Sequence, residues 1–97
     1  MNFCYIIYSS AIDKYYIGET ENFEKRLSEH NSGVFKNSYT TQANDWESYI
    51  LIECNNRSEA RKFESFIKKM KSRNFIESLK LDPEKNIEIQ RSKIRGS

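Results

Sequence analysis

The sequence predicts a small α/β domain, a sandwich in which helices flank a three-stranded, mostly antiparallel sheet. Residues 3–8 form an unbroken apolar run, and shorter apolar runs lie at residues 15–17 and 46–53. Between and after these runs, apolar residues recur at the three- and four-residue spacing of amphipathic helices. The chain has 97 residues, which is enough for one core and too few for a second domain.

The first two apolar runs predict a hairpin. Residues 3–8 have no polar interruption, which is typical of a central strand covered on both faces. Residues 9–14 are polar and suit a connecting loop. Residues 15–17 then form a second short strand that Gly18 ends.

A helix is expected over residues 23–30. Asn22 can cap its first turn, and Gly33 lies just beyond its last turn. Arg26 and His30 are four residues apart, so their side chains project from the same side of this helix.

The second half of the chain alternates between loop, strand and helix. Residues 31–45 are rich in Asn, Ser and Thr and predict a long exposed loop, and residues 46–53 return to strand composition. A helix is expected from about Ser58, with Asn56 or Ser58 as its cap, and Ser72 can begin a further short helix. The expected order is strand, strand, helix, strand, helix, helix.

The last residues predict a tail rather than an element. Asp82-Pro83 interrupts the apolar spacing, and the residues after this pair are mainly polar. We therefore expect one domain over residues 1–81 and a polar, flexible tail over residues 82–97.

The charges are unevenly distributed. The formal net charge is +2, yet residues 57–80 contain eight basic and three acidic side chains. Such a stretch would attract a phosphate backbone, although a charge run on a helix is more often a solvated face.

The two cysteines and the hydropathy bear on location. Cys4 and Cys54 lie in apolar runs, where cysteine usually behaves as a small hydrophobe in a reducing compartment. No leader pattern is present, and no segment approaches the roughly 20 apolar residues that span a bilayer. We expect a soluble cytoplasmic protein.

The residues with chemical potential are scattered. The sequence contains no glycine-rich phosphate loop, no closely spaced Cys and His ligands and no clear Ser-His-Asp arrangement. The remaining candidates are two tyrosines on paired strands, two basic residues on one helical face and a glutamate in the longest later helix. These residues are Tyr5, Tyr16, Arg26, His30 and Glu64.

In order and spacing they resemble the GIY-YIG nuclease family. Phe3-Cys4-Tyr5 stands at the first motif, of which only the tyrosine is retained, and Tyr16-Ile17-Gly18 matches the second motif in full. Arg26 follows ten residues after Tyr16, and His30 four residues later. The resemblance covers residues 3–80, and the chain is similar to the small stand-alone bacterial members related to the nuclease module of the excision-repair endonuclease.

The resemblance implies a metal-dependent endonuclease that hydrolyses phosphodiester bonds in DNA, in repair, recombination or restriction. It implies that Tyr5 activates the water and that Glu64 is the ligand of Mg²⁺ or Mn²⁺. Tyr16 would position the water or the phosphate, and the guanidinium fork of Arg26 suits the scissile phosphate. His30 could donate to that phosphate or orient Tyr5.

Each residue also has an ordinary structural interpretation. Strand tyrosines commonly pack in cores, and Glu64 is four residues before Lys68, the spacing of a helical ion pair. Trp46 is expected in the core. Some family members carry an asparagine near the end of the site, and Asn74 is its possible equivalent here.

Further DNA contacts are expected from the loop and from the basic helices, with a polar linker and solvated charge as the alternatives. The candidates are Tyr39, Thr40, Lys68, Lys69, Lys71 and Arg73. Two functions without cleavage also remain open: a nucleic-acid-binding module and a protein-interaction domain, both on a nuclease scaffold.

Overall fold

The computed structural model describes residues 1–34 and 39–96. Three strands and four α-helices make up most of this part of the chain, together with one turn of 3₁₀ helix at Tyr39–Gln42. The elements are β1 (Asn2–Ser9), β2 (Lys14–Thr20), α1 (Phe23–Ser32), β3 (Glu47–Cys54), α2 (Arg57–Met70), α3 (Arg73–Leu81) and α4 (Pro83–Arg95).

The sheet has β1 at its centre, in the order β2-β1-β3, and both pairings are antiparallel. Tyr5 pairs with Gly18 on β2, and an irregularity between Ile6 and Ile7 shifts the register with β3. This architecture confirms the predicted fold class and the central position of the first strand. β2 continues to Thr20, so Gly18 does not end it.

The two faces of the sheet carry different cores. Cys4 and Ile6 point towards α2, α3 and α4, where they join a cluster of mainly aliphatic residues. Tyr5 and Ile7 point the other way and pack with Trp46 near α1. Alternation along one strand produces this division. We call the two sides the three-helix face and the aromatic face.

Side-chain caps define the helix starts. The side chains of Asn22, Asn56 and Ser72 each accept a hydrogen bond from a backbone N–H in the first turn of α1, α2 and α3 respectively. Gly33 ends α1 in the left-handed conformation, with φ of 76°. The predicted positions of these three helices are confirmed to within two residues.

The expectation of a long exposed loop over residues 31–45 is wrong for much of that segment. Asn31 and Ser32 belong to α1, and Thr40 is completely buried in the 3₁₀ turn. A polar composition concealed this because Thr40 is buried through hydrogen bonding. Residues 35–38 lie outside the described residues.

The expectation of a flexible tail over residues 82–97 is also wrong, because residues 83–95 form α4. Asp82 caps this helix through its side chain, and Pro83 occupies the first turn, where its missing N–H costs nothing. Ile94 is only 7% exposed and belongs to the core of the three-helix face. The Asp-Pro pair therefore starts a helix here.

Ion pairs fasten α4 to α2. The carboxylate of Glu59 is 2.7 Å from Arg91 Nη1 and 3.0 Å from Arg95 Nη2. Burial alone would raise the pKa of Glu59, but hydrogen bonds from Arg95 and the Asn55 N–H, with the nearby guanidinium charges, lower it below its ordinary value. The carboxylate is thus charged and well neutralised in the folded protein.

Other composition-based expectations are settled by burial. Cys4 and Cys54 are buried free thiols, and Trp46 is 2% exposed, so all three are core residues as predicted. Within residues 1–34 and 39–96, no helix combines the length and the apolarity needed to cross a bilayer.

Candidate active site

Tyr5 lies at the centre of the aromatic face. Its side chain is 1% exposed and packs against Phe23 of α1, with ring centroids 5.4 Å apart. Its strand partner is Gly18, and a Cβ at that position would overlap the Tyr5 ring and hydroxyl. The glycine of the Tyr-Ile-Gly motif is therefore required for space, since it leaves room for the phenol above β2.

A buried hydrogen-bonded chain begins at the Tyr5 hydroxyl. The hydroxyl lies 2.9 Å from His30 Nε2, and Nδ1 of the same ring lies 2.7 Å from Thr40 Oγ1. The Thr40 carbonyl in turn accepts a hydrogen bond from Trp46 Nε1 at 2.9 Å. Residues 10 to 25 positions apart in the sequence are thereby fixed relative to one another.

The electrostatics of this chain favour neutral groups. Burial, with a contribution from the Arg26 charge, lowers the pKa of His30 below its ordinary value. Burial and the nearby Tyr16 raise the pKa of Tyr5, whereas Arg26 opposes that rise. A phenol is a stronger acid than a threonine hydroxyl, so we assign the neutral tautomer in which Tyr5 donates to Nε2 and Nδ1–H donates to Thr40.

Tyr16 forms the outer side of the cluster. Its ring meets the His30 ring edge-on at 5.1 Å and lies 6.4 Å from the Tyr5 ring. On its other side it stacks with Tyr39, which is 41% exposed. Tyr16 is partly exposed, so the two tyrosines differ: Tyr5 is enclosed and Tyr16 borders solvent.

Arg26 lies one turn before His30 on α1. Its Nε is 3.7 Å from the carboxylate of Glu29, and its side chain is 38% exposed. It borders an open cavity of about 470 Å³ between α1, the end of β2 and Arg57. The guanidinium is therefore accessible to a ligand while its charge acts on both Tyr5 and His30.

Glu64 approaches from α2. Its Oε2 accepts a hydrogen bond from Lys68 Nζ at 2.9 Å, and its side chain is 23% exposed. Its negative charge is one of those that raise the pKa of Tyr5, so its carboxylate lies on the same side of the molecule as that phenol. The expected helical ion pair with Lys68 is present, and it coexists with this proximity.

Glu64 belongs to a stripe of α2 that faces the edge strand β2. Residues 57, 61, 64 and 68 follow the three- and four-residue spacing of one helical face. Arg57 and Arg61 lie 3.6 Å and 3.9 Å from the Glu19 carboxylate on β2. The helix therefore presents Glu64 at the edge where β2 also carries Tyr16.

The donor set limits what metal could bind. Among the described residues, no group of three or more His, Cys, Asp or Glu side chains is arranged to hold a metal ion. A transition-metal centre made of protein ligands alone is therefore not built in this part of the chain. A hard cation that keeps several of its waters can be held through one carboxylate, and Glu64 fits that requirement.

The DNA contacts expected from the sequence are divided by the structure. Thr40 is 0% exposed and bonded to His30, so the expectation that it contacts DNA is wrong. Arg73 is engaged by Asp13 and Glu77 and lies over the Tyr15 ring. Its guanidinium is occupied within the protein.

The expected lysine contacts face two different cavities. Lys68 and Lys71 line one beside β2 together with Tyr39, whereas Lys69 lines another between α2 and α4. Asn74 is exposed on α3.

Sequence reasoning missed the residues that support His30. Asn31 holds Trp46 through both backbone groups: its Oδ1 accepts from the Trp46 N–H at 2.7 Å, and its Nδ2 donates to the Trp46 carbonyl at 3.0 Å. Thr40 completes the support on the imidazole. No local pattern indicates these contacts, because they join α1 to residues 10 or more positions away.

Comparison with known proteins gives the family. The model of the GIY-YIG catalytic domain matches residues 1–77. The chain is 38% identical over 85 residues to a UPF0213 protein of Syntrophus aciditrophicus (strain SB), an alignment that covers 87% of this chain and 95% of that protein. No solved structure matches the chain significantly. With the family model matched over most of its length, the chain belongs to the GIY-YIG family, and its domain is of the nuclease type.

Proposed function

We propose that this protein is a metal-dependent DNA endonuclease that hydrolyses phosphodiester bonds, in repair, recombination or restriction. The observation that carries the proposal is the convergence of Tyr5, His30, Arg26 and Glu64: one hydrogen bond and two charges act on a single phenol. Strand packing alone does not call for a buried tyrosine paired with a neutral histidine. The two buried thiols suit a reducing cytoplasm, where we propose that it acts.

Hydrolysis needs a group to take the proton of the attacking water. We assign that role to Tyr5, which passes its own proton to His30 Nε2 as it accepts one from the water. Neutral His30 is suited to this because both its nitrogens are already oriented by Tyr5 and Thr40. Tyr16, partly exposed on the neighbouring strand, forms the wall along which the water reaches the Tyr5 hydroxyl.

The remaining groups manage negative charge. Arg26 binds the non-bridging oxygens of the scissile phosphate through its planar fork of donors. Glu64 would hold Mg²⁺ or Mn²⁺, and a divalent cation bound there supplies positive charge to the leaving oxygen. We assign His30 no role as a phosphate donor, since it is 3% exposed and both its ring nitrogens are hydrogen-bonded.

The test is cleavage of branched, flapped and plain duplex DNA by the purified protein with Mg²⁺ or Mn²⁺. Tyr5→Phe, Arg26→Lys and Glu64→Gln should each lower the single-turnover rate by about 10²- to 10⁴-fold. Glu88→Gln is the matched control, because Glu88 is a 68% exposed helical carboxylate paired with an arginine far along α4. A rate unchanged in Glu64→Gln, or no cleavage of any substrate, contradicts the proposal.

A second candidate function is nucleic-acid binding without cleavage. Three lysines, Lys62, Lys69 and Lys93, surround an apolar cavity floored by Phe66 and Ile94. In the part of the chain that the structure describes, none of the three has an acidic partner.

This alternative predicts DNA affinity that survives Glu64→Gln. Replacing the three lysines with glutamine would weaken binding and reduce its dependence on salt by roughly one counterion for each phosphate that the protein no longer neutralises. Binding without turnover in every metal would favour this function over cleavage.

A further inference from the structure

We propose that the Lys68 ammonium occupies, in the metal-free protein, the position beside Glu64 that a divalent cation takes, so that the cation binds by displacing it. The inference rests on the proposed function, in which Glu64 is the metal ligand. It assigns Lys68 a positioning role that its membership of a basic helix does not suggest.

The contact itself is specific. Lys68 Nζ lies 2.9 Å from Glu64 Oε2, and the carboxylate, at 23% exposed, is more covered than the lysine side chain, at 51%. A partly buried carboxylate is costly without a counter-charge. Lys68 supplies that charge in the absence of metal, and thereby keeps the carboxylate ionised and oriented.

Lysine and metal cannot share this carboxylate freely. Both require the same oxygen lone pairs, and an ammonium next to a dication adds like-charge repulsion that a partly buried site screens poorly. Metal binding must therefore break the Lys68–Glu64 contact. The measured metal affinity is the intrinsic affinity reduced by the strength of that contact.

The displaced ammonium has somewhere to go. Lys68 also lines the cavity of about 280 Å³ beside β2, together with Tyr39 and Lys71. A rotation of its flexible side chain moves the charge into this cavity, which lies next to Tyr16 through the Tyr16–Tyr39 stack. A released Lys68 thus stays near the place proposed for the phosphate.

Lys69 provides a matched control for the charge. It lies on the same helix, one residue further along, but lines the cavity on the α4 side and contacts no carboxylate within the described residues. Removing either lysine lowers the net charge by one. Only removal of Lys68 frees Glu64.

The first experiment measures Mn²⁺ binding by electron paramagnetic resonance in the wild type, Lys68→Met, Lys69→Met and Glu64→Gln, without DNA. Lys68→Met should bind Mn²⁺ about two- to tenfold more tightly than Lys69→Met. Equal affinities in the two lysine variants, with binding abolished in Glu64→Gln, overturn the inference and leave the proposed metal ligand intact. Wild-type affinity in Glu64→Gln removes the metal ligand and the inference together.

The second experiment needs no variant. Amine acetylation followed by mass spectrometry reports the reactivity of each lysine in the wild-type protein. Saturating Mg²⁺ should raise the labelling rate of Lys68 relative to Lys69 at least about twofold, because the ammonium leaves its ion pair. A ratio that Mg²⁺ does not change overturns the inference.

Discussion

The two faces of the sheet stabilise the protein in different ways, although the same central strand supplies both. On the three-helix face, Cys4 and Ile6 pack among aliphatic side chains and need only a good fit. On the aromatic face, Tyr5 is buried with a polar end, and that end requires a partner. One face therefore contributes mainly by volume, whereas the other depends on hydrogen bonds that also create the candidate site.

The largest expected effect is on the three-helix face. Phe63 is fully buried between α2 and the sheet, and Phe63→Ala should lower the free energy of unfolding by about 3–5 kcal/mol through poorer packing and a cavity. Urea denaturation measures it. Leu81→Ala is the control, since Leu81 is 86% exposed and its truncation should matter little. Similar losses of stability in the two variants would mean that this face is not the main source of stability.

On the aromatic face, Gly18→Ala should cost about 1–3 kcal/mol of stability, because the new methyl group overlaps the Tyr5 ring. It should also lower cleavage by moving the phenol away from His30. Tyr5→Phe removes the hydroxyl, the atom nearest to that methyl group.

The double variant Tyr5→Phe/Gly18→Ala tests this explanation. Its loss of stability should be smaller than the sum of the two single losses, as measured by a double-mutant cycle. Additive losses would show that the glycine matters for some reason other than the room it leaves for Tyr5.

The smallest effect is a pH dependence that belongs to the aromatic face alone. His30 is the chain's one histidine, and its pKa in the folded protein is below the ordinary 6.5. The unfolded chain therefore takes up a proton first as the pH falls, so stability should decline below about pH 6.5, by about 1.4 kcal/mol for each unit of pKa difference.

Unfolding free energies between pH 5 and pH 8 measure this decline. The slope should disappear in His30→Gln, and its persistence there would assign it to other groups. Glu59 on the three-helix face does not interfere, because its lowered pKa affects stability only below its ordinary value of 4.5.

The sequence predicted those features that depend on local pattern. The strand order and the starts of α1, α2 and α3 followed from apolar spacing and from Asn22, Asn56 and Ser72. The grouping of Tyr5 with Tyr16 followed from the hairpin. These features are encoded within a few residues of where they appear.

The features that the sequence did not predict depend on distant contacts. Thr40 looked like an exposed loop residue because its polarity is local, whereas its burial depends on His30 and Trp46. Residues 83–95 looked like a tail because they are polar, yet two of their arginines neutralise Glu59. The roles of the five candidate site residues stay predictions until they are tested by mutation.

The Glu59 cluster has a practical consequence for fragment design. A fragment that stopped at residue 81 would contain the whole matched catalytic span but would expose the α2 surface that Ile94 covers and deprive a carboxylate of both its guanidinium partners. Its low solubility or poor folding could then be mistaken for an inactive enzyme. Recombinant versions used for activity assays should therefore extend through Arg95.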